Sequence, residues 1–383
     1  MVRILANLCS IVPGRVGGSE VYASRLLSAF AAHGAGEAPD IELEVASMAR
    51  TRAAHPSLGD LRWHESRWKG DIRLLRIASE STWLTRRSDG FDVVHHFGGR
   101  LPAARRGAAV LTVHDIQPLD IPANFSPAKR RYLRWALPRS VMAADVVAVP
   151  SRWVASRLEE RLAVPADRIA VVPSSYATDP LVRSGGAGCE ARPLGLPRAL
   201  TGRRFVLYPA ATYPHKNHGT LIDAHAAVWS RHNEPTLVLT GAAGRDHAVV
   251  TEHAARAPGV VHLGWVEEAR LASLISSAAA VAFPSRYEGF GLPVIEAMAA
   301  GTPVIAAAVT ALPEVVRDGG LLVGPDDVDG WIDALLEVLD GSAEVARRVE
   351  RGRARAADFA PERAAAGLID AWRHAAQTAG GQT

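Results

Sequence analysis

Chemistry-bearing residues are densest between Pro284 and Pro303, where Pro284-Ser285-Arg286-Tyr287-Glu288-Gly289-Phe290-Gly291-Leu292-Pro293 leads into Val294-Ile295-Glu296-Ala297-Met298-Ala299-Ala300-Gly301. The apolar run ending at Phe283 reads as a strand, so the cluster opens at a strand's carboxyl end. Pro293 suits the first position of a helix, where its fixed φ helps and its missing N–H has no partner to lose. Gly301 suits the left-handed residue that follows a helix. A short helix over Val294 to Ala300 presents free amides at its start, and Gly289 and Gly291 let a ligand approach the backbone. Free amides and the helix dipole favour an anion such as a diphosphate. Glu288 falls in the loop and Glu296, eight residues on, is expected in the first turn. A carboxylate accepting two hydrogen bonds matches the vicinal hydroxyls of a ribose or a hexose. A lone glutamate near a helix start does no more than complement the dipole. The glycines, the proline and the second acid after a strand favour the ligand.

The string Glu-x7-Glu enclosing Gly-Phe-Gly-Leu-Pro closely resembles the nucleotide-sugar motif of the GT-B glycosyltransferases, within the large family-4 group of retaining enzymes. Other positions match that family in order along nearly the whole chain. Gly17-Gly18-Ser19, before a helix over Glu20 to His33, resembles its N-terminal glycine loop, which approaches donor phosphates and acceptor. Read from the residues alone, Ser19 is an N-cap and Gly34 a helix stop. His114-Asp115, after the strand Val110 to Val113, resembles the active-site histidine that contacts the transferred sugar. Asp115 either orients His114 or caps the next turn, and the cap is the simpler role. Tyr208-Pro209-Ala210-Ala211-Thr212-Tyr213-Pro214-His215-Lys216-Asn217 resembles the segment whose arginine and lysine neutralise the diphosphate. Lys216 falls on the lysine, but the arginine's place is Ala211. Hydrogen bonds from Thr212, Tyr213, His215 or Asn217, or a basic residue of the first domain, are the expected compensation. Gly264-Trp265-Val266 resembles the segment that frames the nucleotide base.

The resemblance implies transfer of a hexose or deoxyhexose from a nucleotide diphosphate sugar to an acceptor hydroxyl, with retention and without metal or other cofactor. His114, Lys216 and Glu288 are then the expected catalytic residues. Gly17, Gly18, Thr212, Asn217, Val266, Gly289, Phe290, Gly291, Leu292 and Glu296 are the expected donor-binding ones. In this family the acceptor is thought to attack on the leaving-group face while a phosphate oxygen takes its proton, so no nucleophile pair is implied. The His-Asp and Pro-His-Lys-Asn segments loosely resemble mannosyl- and rhamnosyl-transferring relatives in polysaccharide pathways. Glycolipids, lipid-linked sugars and metabolites are the other acceptor classes that the resemblance implies. The alternative is a noncatalytic nucleotide-sugar-binding or regulatory protein with a degenerate site, for which Ala211 speaks.

These residues need a scaffold, and the chain supplies short β-branched runs alternating with helical patterns, the sequence form of a parallel α/β sheet. Strands are expected at Arg3–Leu8, Asp92–His96, Val110–Val113, Asp145–Val149 and Ile169–Val172, then at Phe205–Tyr208, Thr236–Thr240, Val260–Leu263, Ala279–Phe283, Pro303–Ala306 and Leu321–Val323. Helices are expected at Trp331–Asp340, Ala343–Phe359 and Pro361–Gln377. The fold class is therefore α/β, with two Rossmann-like doubly wound domains facing across a cleft. Residues 184–204 are a Gly/Pro-rich linker; by the resemblance, residues 1–183 form the acceptor domain and 205–360 the donor domain. By the resemblance, the helix over 361–377 crosses back to the first domain.

The 383 residues are 48% apolar and 22% charged, which argues against disorder. Cys9 and Cys189 cannot build a disulfide framework, and a reducing cytoplasmic location is expected. The N-terminus reads as a strand and not a signal peptide, and no apolar run is long enough to span a membrane. Net charge of +3 argues against nucleic acid as a partner. Residues 1–190 hold 25 basic and 19 acidic side chains, and Lys69, Lys129 and Lys216 are the only lysines among 43 basic residues. Lys129-Arg130-Arg131-Tyr132-Leu133-Arg134-Trp135 and Arg67-Trp68-Lys69 with Arg73 and Arg76 mix cations with aromatics. Such stretches are either solvated faces or peripheral contacts with an anionic membrane, here at its inner face. Gly186–Ala191 fits a dinucleotide fingerprint formally but lacks a preceding strand and a following helix. Asp327-Val328-Asp329 reads as a helix cap in place of a metal clamp. His95-His96 reads as buried strand.

Overall fold

The computed structural model describes residues 1–13, 17–68, 70–176, 200 and 202–380. The chain divides into two compact units, Met1–Ser175 with Ala360–Thr383, and Tyr176–Phe359. The expected linker lies outside the described residues except for Leu200 and residues 202–204, as do Lys69, Cys189 and the Gly186–Ala191 string.

The first unit holds seven parallel strands: β1 (Val2–Asn7), β2 (Ile41–Met48), β3 (Arg62–Ser66), β4 (Val93–His96), β5 (Ala108–Thr112), β6 (Val146–Val149) and β7 (Ile169–Val171). Their order is β3-β2-β1-β4-β5-β6-β7. Alternation of side chains sorts the sheet's two faces. Ile4, Ala6, Val110, Val146 and Ala148 pack with the N-terminal helix and the helix Pro361–Gly380. Ala109, Leu111, Val147 and Val149 pack on the opposite face with helices Pro127–Ala143 and Arg152–Leu162.

Strands β2 and β3 were not among the expected elements. In β2 the acids Glu42 and Glu44 interrupt the apolar pattern, yet Glu44 is 1% exposed. Its burial is tolerated because Arg3 Nη2 lies 3.2 Å away, Arg62 Nη1 3.6 Å, and the His64 ring bonds its other oxygen. These partners come from β1 and β3, so the strand's logic is in its neighbours.

The N-terminal helix also differs from expectation. It begins at Gly18, and its cap is Gly17 at φ 65°, a left-handed value that favours glycine. Ser19 lies inside the first turn. The helix does not stop at Gly34 but passes through a wide turn over Phe30–Gly34 to Glu37. A Cβ on Gly34 would stand 2.7 Å from the Phe30 ring and 3.2 Å from Ile369, so this glycine serves close packing.

The second unit holds six parallel strands, β8 (Phe205–Pro209), β9 (Thr236–Thr240), β10 (Val260–Gly264), β11 (Ala280–Phe283), β12 (Val304–Ala307) and β13 (Leu321–Val323), in the order β10-β9-β8-β11-β12-β13. Each lies within about a residue of its expected position. In both units the chain winds outward in one direction and then returns to the other side of its first strand. The order reverses between β1 and β4, and between β8 and β11. Ligands of such sheets sit beyond the carboxyl ends of the strands at that reversal.

Candidate functional site

Strands β8 and β11 are hydrogen-bonded neighbours, with Val206 opposite Ala280. The segments leaving their carboxyl ends are therefore brought together, and they are the two that carry Lys216 and Glu288. After β8 the chain makes a tight turn over Pro214–Lys216 and enters the helix His218–His232 through Asn217, at φ 56°. After β11, Pro284 to Gly291 lead into the helix Leu292–Ala300. Lys216 Nζ meets Glu288 Oε1 at 2.5 Å, and the two side chains are 18% and 12% exposed.

Several framework bonds fix this pair. The Tyr208 hydroxyl, buried in β8, donates to the Lys216 carbonyl at 2.5 Å and lies 3.1 Å from Ser285 Oγ. The Arg286 amide donates to the His215 carbonyl at 2.8 Å. Asn217 Nδ2 donates to the carbonyls of Pro284 (3.2 Å) and Pro325 (2.6 Å), while its Oδ1 accepts from Thr220 at 2.9 Å. Its amide is thus spent on joining loops. Thr212 is similarly occupied, accepting from the Gly244 amide at 2.8 Å with the His247 ring at 3.4 Å. The Glu288 amide donates to Thr310 Oγ1 at 3.1 Å.

The helix after the loop starts at Leu292, two residues earlier than the expected Val294, and Gly291 is its cap at φ 107°. A Cβ there would stand 2.8 Å from Leu312, so glycine is required on two counts. Counting from Leu292, Glu296 is the fifth helical residue and lies past the first turn, not within it as expected. Phe290 is buried, edge-on to Phe359 at 5.5 Å, which anchors the loop between its two glycines. Gly289 and Glu296 are half-buried. Gly301 closes the helix at φ 74°.

Further along the sheet, Gly264 has φ 67°, Trp265 is 69% exposed, and Val266 packs partly into the core. Tyr213 stacks on His215 at 5.9 Å. Burial pushes the His215 imidazole down to about 4, with the Lys216 charge adding to the effect. Burial likewise lowers His218 to about 4. Both rings are neutral near pH 7, so Lys216 carries the positive charge of this turn.

In the first unit His114 follows β5. Its Nε2 donates to the Phe97 carbonyl at 3.1 Å and its ring meets Tyr22 edge-on at 4.9 Å. Burial lowers its pKa to about 4. With the proton on Nε2, Nδ1 keeps a lone pair. Asp115 accepts from the Gln117 amide at 3.0 Å and from its side chain at 3.1 Å, which is the capping role. Gly17 and Gly18 are exposed at the start of the N-terminal helix. Asp327 also caps, accepting from the Gly330 amide at 3.0 Å.

A cluster that sequence reading missed lies at the reversal between β1 and β4. Asn7 Nδ2 donates to His96 Nδ1 at 2.9 Å and to Glu80 at 3.4 Å, and Glu80 pairs with Arg100. Glu80 is 3% exposed, and His96 is pushed down to about 3 by burial. Positions 7, 80, 96 and 100 form no local motif; adjacency of β1 and β4 joins Asn7 to His96, while Glu80 comes from the helical segment Glu80–Leu84 and Arg100 from the loop after β4. The only sequence signal is a polar residue ending each of two adjacent strands.

Comparison with known proteins matches this geometry to a family. Residues 16–179 match the model for Glycosyltransferase Family 4, and residues 203–341 that for Glycosyl transferases group 1. The chain is 31% identical over 296 residues to O-antigen chain mannosyltransferase B of Escherichia coli, covering 76% of each. It is 30% identical over 233 residues to the O-antigen chain mannosyltransferase RfbU of Salmonella typhimurium, covering 60% of each. Among solved structures, HepE of Anabaena in complex with UDP-glucose superposes with a TM-score of 0.69 at 19% identity, covering 100% of both chains. That likeness establishes the fold. The two matched models span both units, and the chain belongs to the family-4 glycosyltransferases of group 1, built on the GT-B fold.

Proposed function

We propose that this glycosyltransferase moves a hexose, with mannose the first candidate, from a nucleotide diphosphate sugar to an acceptor hydroxyl with retention of configuration. The observation that carries the reading is the Lys216–Glu288 pair at 2.5 Å, set directly before the glycine loop and helix start at Gly289–Leu292. Negative charge grows on the diphosphate as the glycosidic bond breaks, and preorganised donors aimed there lower the barrier. Lys216 and the amides of Phe290, Gly291 and Leu292 are such donors. Glu288 accepts from hexose hydroxyls and Glu296 from the ribose. His114, neutral and with Nδ1 free of its own proton, is assigned to the transferred sugar on the family resemblance. The cation and the amides supply the charge neutralisation, so the reading needs no metal ion.

Mannose is favoured by two relatives that are O-antigen chain mannosyltransferases. The same names support an acceptor sugar of a growing polysaccharide. The test is incubation of the protein with GDP-mannose and, separately, UDP-glucose in chelator, each with an alkyl mannoside as acceptor, with NMR of the newly formed glycosidic anomer. An α-mannoside from the α-linked donor supports retention; an inverted product overturns it.

Ala211 favours a second reading, a noncatalytic nucleotide-sugar binder, because one cation of the family segment is missing. Slow donor hydrolysis without acceptor, abolished in Lys216→Ala, separates the two.

A further inference from the structure

Two basic aromatic stretches far apart in sequence adjoin in the first unit. Arg73 lies over the Tyr132 ring at 4.5 Å, which joins the segment around residues 67–76 to the helix Pro127–Ala143. That helix carries Lys129, Arg130, Arg131, Arg134 and Arg139 and no acid. Lys129 lies 5.2 Å from the centre of the Phe125 ring, and Arg139 4.8 Å from that of Trp135. Burial and then the Arg73 charge lower the Lys129 pKa, and Asp115 acts in the opposite direction.

The same two stretches are where apolar side chains fail to find a core. Among the described residues, twelve large hydrophobic side chains are exposed, and five of them lie here: Trp68 (47%), Ile72 (58%), Leu74 (76%), Leu75 (38%) and Trp135 (55%). Exposed leucines scattered singly need no explanation. Five in and beside a helix that carries five cations and no acid are what an interaction surface presents.

We infer that this part of the first unit docks on an anionic lipid bilayer, its arginines and Lys129 meeting headgroup phosphates while Ile72, Leu74, Trp68 and Trp135 enter the interfacial region. Charge complementarity selects an anionic partner, because five cations on one helix repel unless countered. The apolar side chains select lipid over a soluble polyanion, which would gain nothing from leucine and isoleucine. Tryptophan beside arginine matches the depth at which an indole sits among headgroups. No helix among the described residues is long and apolar enough to cross a membrane, so this contact is peripheral.

The experiment is co-sedimentation of the full chain with vesicles of phosphatidylcholine alone and of phosphatidylcholine with about one third phosphatidylglycerol, the anionic fraction supplying the surface potential. Binding to the mixed vesicles that is lost at high salt is expected. Each cation near an anionic surface changes partitioning about fivefold, so Arg130→Glu/Arg131→Glu/Arg134→Glu should weaken binding by about a hundredfold or more. Ile72→Ser/Leu74→Ser should weaken it at constant charge. Neither variant touches the Lys216–Glu288 pair, so donor hydrolysis stays at the parent rate and reports intact folding. Failure of the parent chain to bind mixed vesicles at low salt overturns the inference. Equal binding by the Ile72/Leu74 variant, together with retention on a heparin column, also overturns it in favour of a soluble polyanion.

Discussion

Lys216 and Glu288, 72 residues apart in the chain, meet at 2.5 Å because their strands β8 and β11 are adjacent in the sheet. The pair is half-buried and braced from below by Tyr208. A lysine held this way has lost most of its rotamer freedom before any ligand arrives, and that is what preorganisation requires.

The first prediction follows from that bracing. Lys216→Ala and Glu288→Gln should each lower turnover by about 10²- to 10³-fold, the typical cost of removing one preorganised charge-stabilising group. Because the two act as a unit, the double variant should lose much less than the product of the singles. Steady-state kinetics on all three, with melting curves to confirm folding, give the answer. Near-parent turnover in both singles would place the chemistry elsewhere.

Tyr208 acts one step back, through the Lys216 backbone. Tyr208→Phe removes the donor to the Lys216 carbonyl while keeping the ring that packs edge-on to Phe283 at 5.5 Å. Stability should fall by about 1 kcal/mol, the usual net worth of such a bond. Donor KM should rise more than this modest loss of stability suggests, because the turn carrying Lys216 loosens. Urea titration and kinetics together distinguish positioning from simple destabilisation. An unchanged KM at reduced stability rejects the positioning role.

Residue types and spacing made Lys216, Glu288 and the glycine loop legible, since lysine is rare here and Gly-Phe-Gly-Leu-Pro between two acids is an unusual string. All six strands of the second unit were readable because each is a short apolar run bounded by glycine, proline or polar residues. Tyr208, Ser285 and Thr310 were not, since an aromatic in a strand reads as core and a lone hydroxyl as loop. Their role lies in hydrogen bonds closed by the fold. Strands β2 and β3 were hidden for a related reason: Glu44 reads as exposed until Arg3, Arg62 and His64 are known to surround it. Periodicity reports the apolar half of a strand's environment and is silent on buried ion pairs.

Buried histidines set a pH dependence, His95 and His96 among them. His114, His215 and His218 are each held by burial near a pKa of about 4, against 6.5 when free. Between those values the unfolded chain binds protons that the folded one refuses, so stability rises with pH across this window. Their contribution is complete above about 6.5 and is lost as pH falls toward 4. Urea midpoints should therefore drop between pH 7 and pH 5, and the imidazole NMR signals of His114 and His218 should still report the neutral form at pH 5.5. A protonated His114 at that pH contradicts the burial argument.

Trp372 ties the last helix to the first unit's sheet. Its indole N–H donates to His95 Nδ1 at 3.0 Å, so His95 carries its proton on Nε2 and offers it to Thr112 Oγ1 at 2.8 Å. The chain Trp372–His95–Thr112 is fully buried, and burial lowers the His95 pKa well below its usual value. Trp372→Phe keeps an aromatic against Phe30 but leaves Nδ1 without a donor, which should cost about 1 to 3 kcal/mol. Trp372→Ala adds a cavity and should cost about 3 to 5 kcal/mol. The histidine offers a way to separate the two terms: in Trp372→Phe the orphaned Nδ1 accepts a proton more readily, so the loss of stability should shrink toward low pH, whereas the cavity part of Trp372→Ala should not. Denaturation of both variants at pH 7 and pH 5 measures the difference. Equal losses at the two pH values would mean that the helix is held by packing alone.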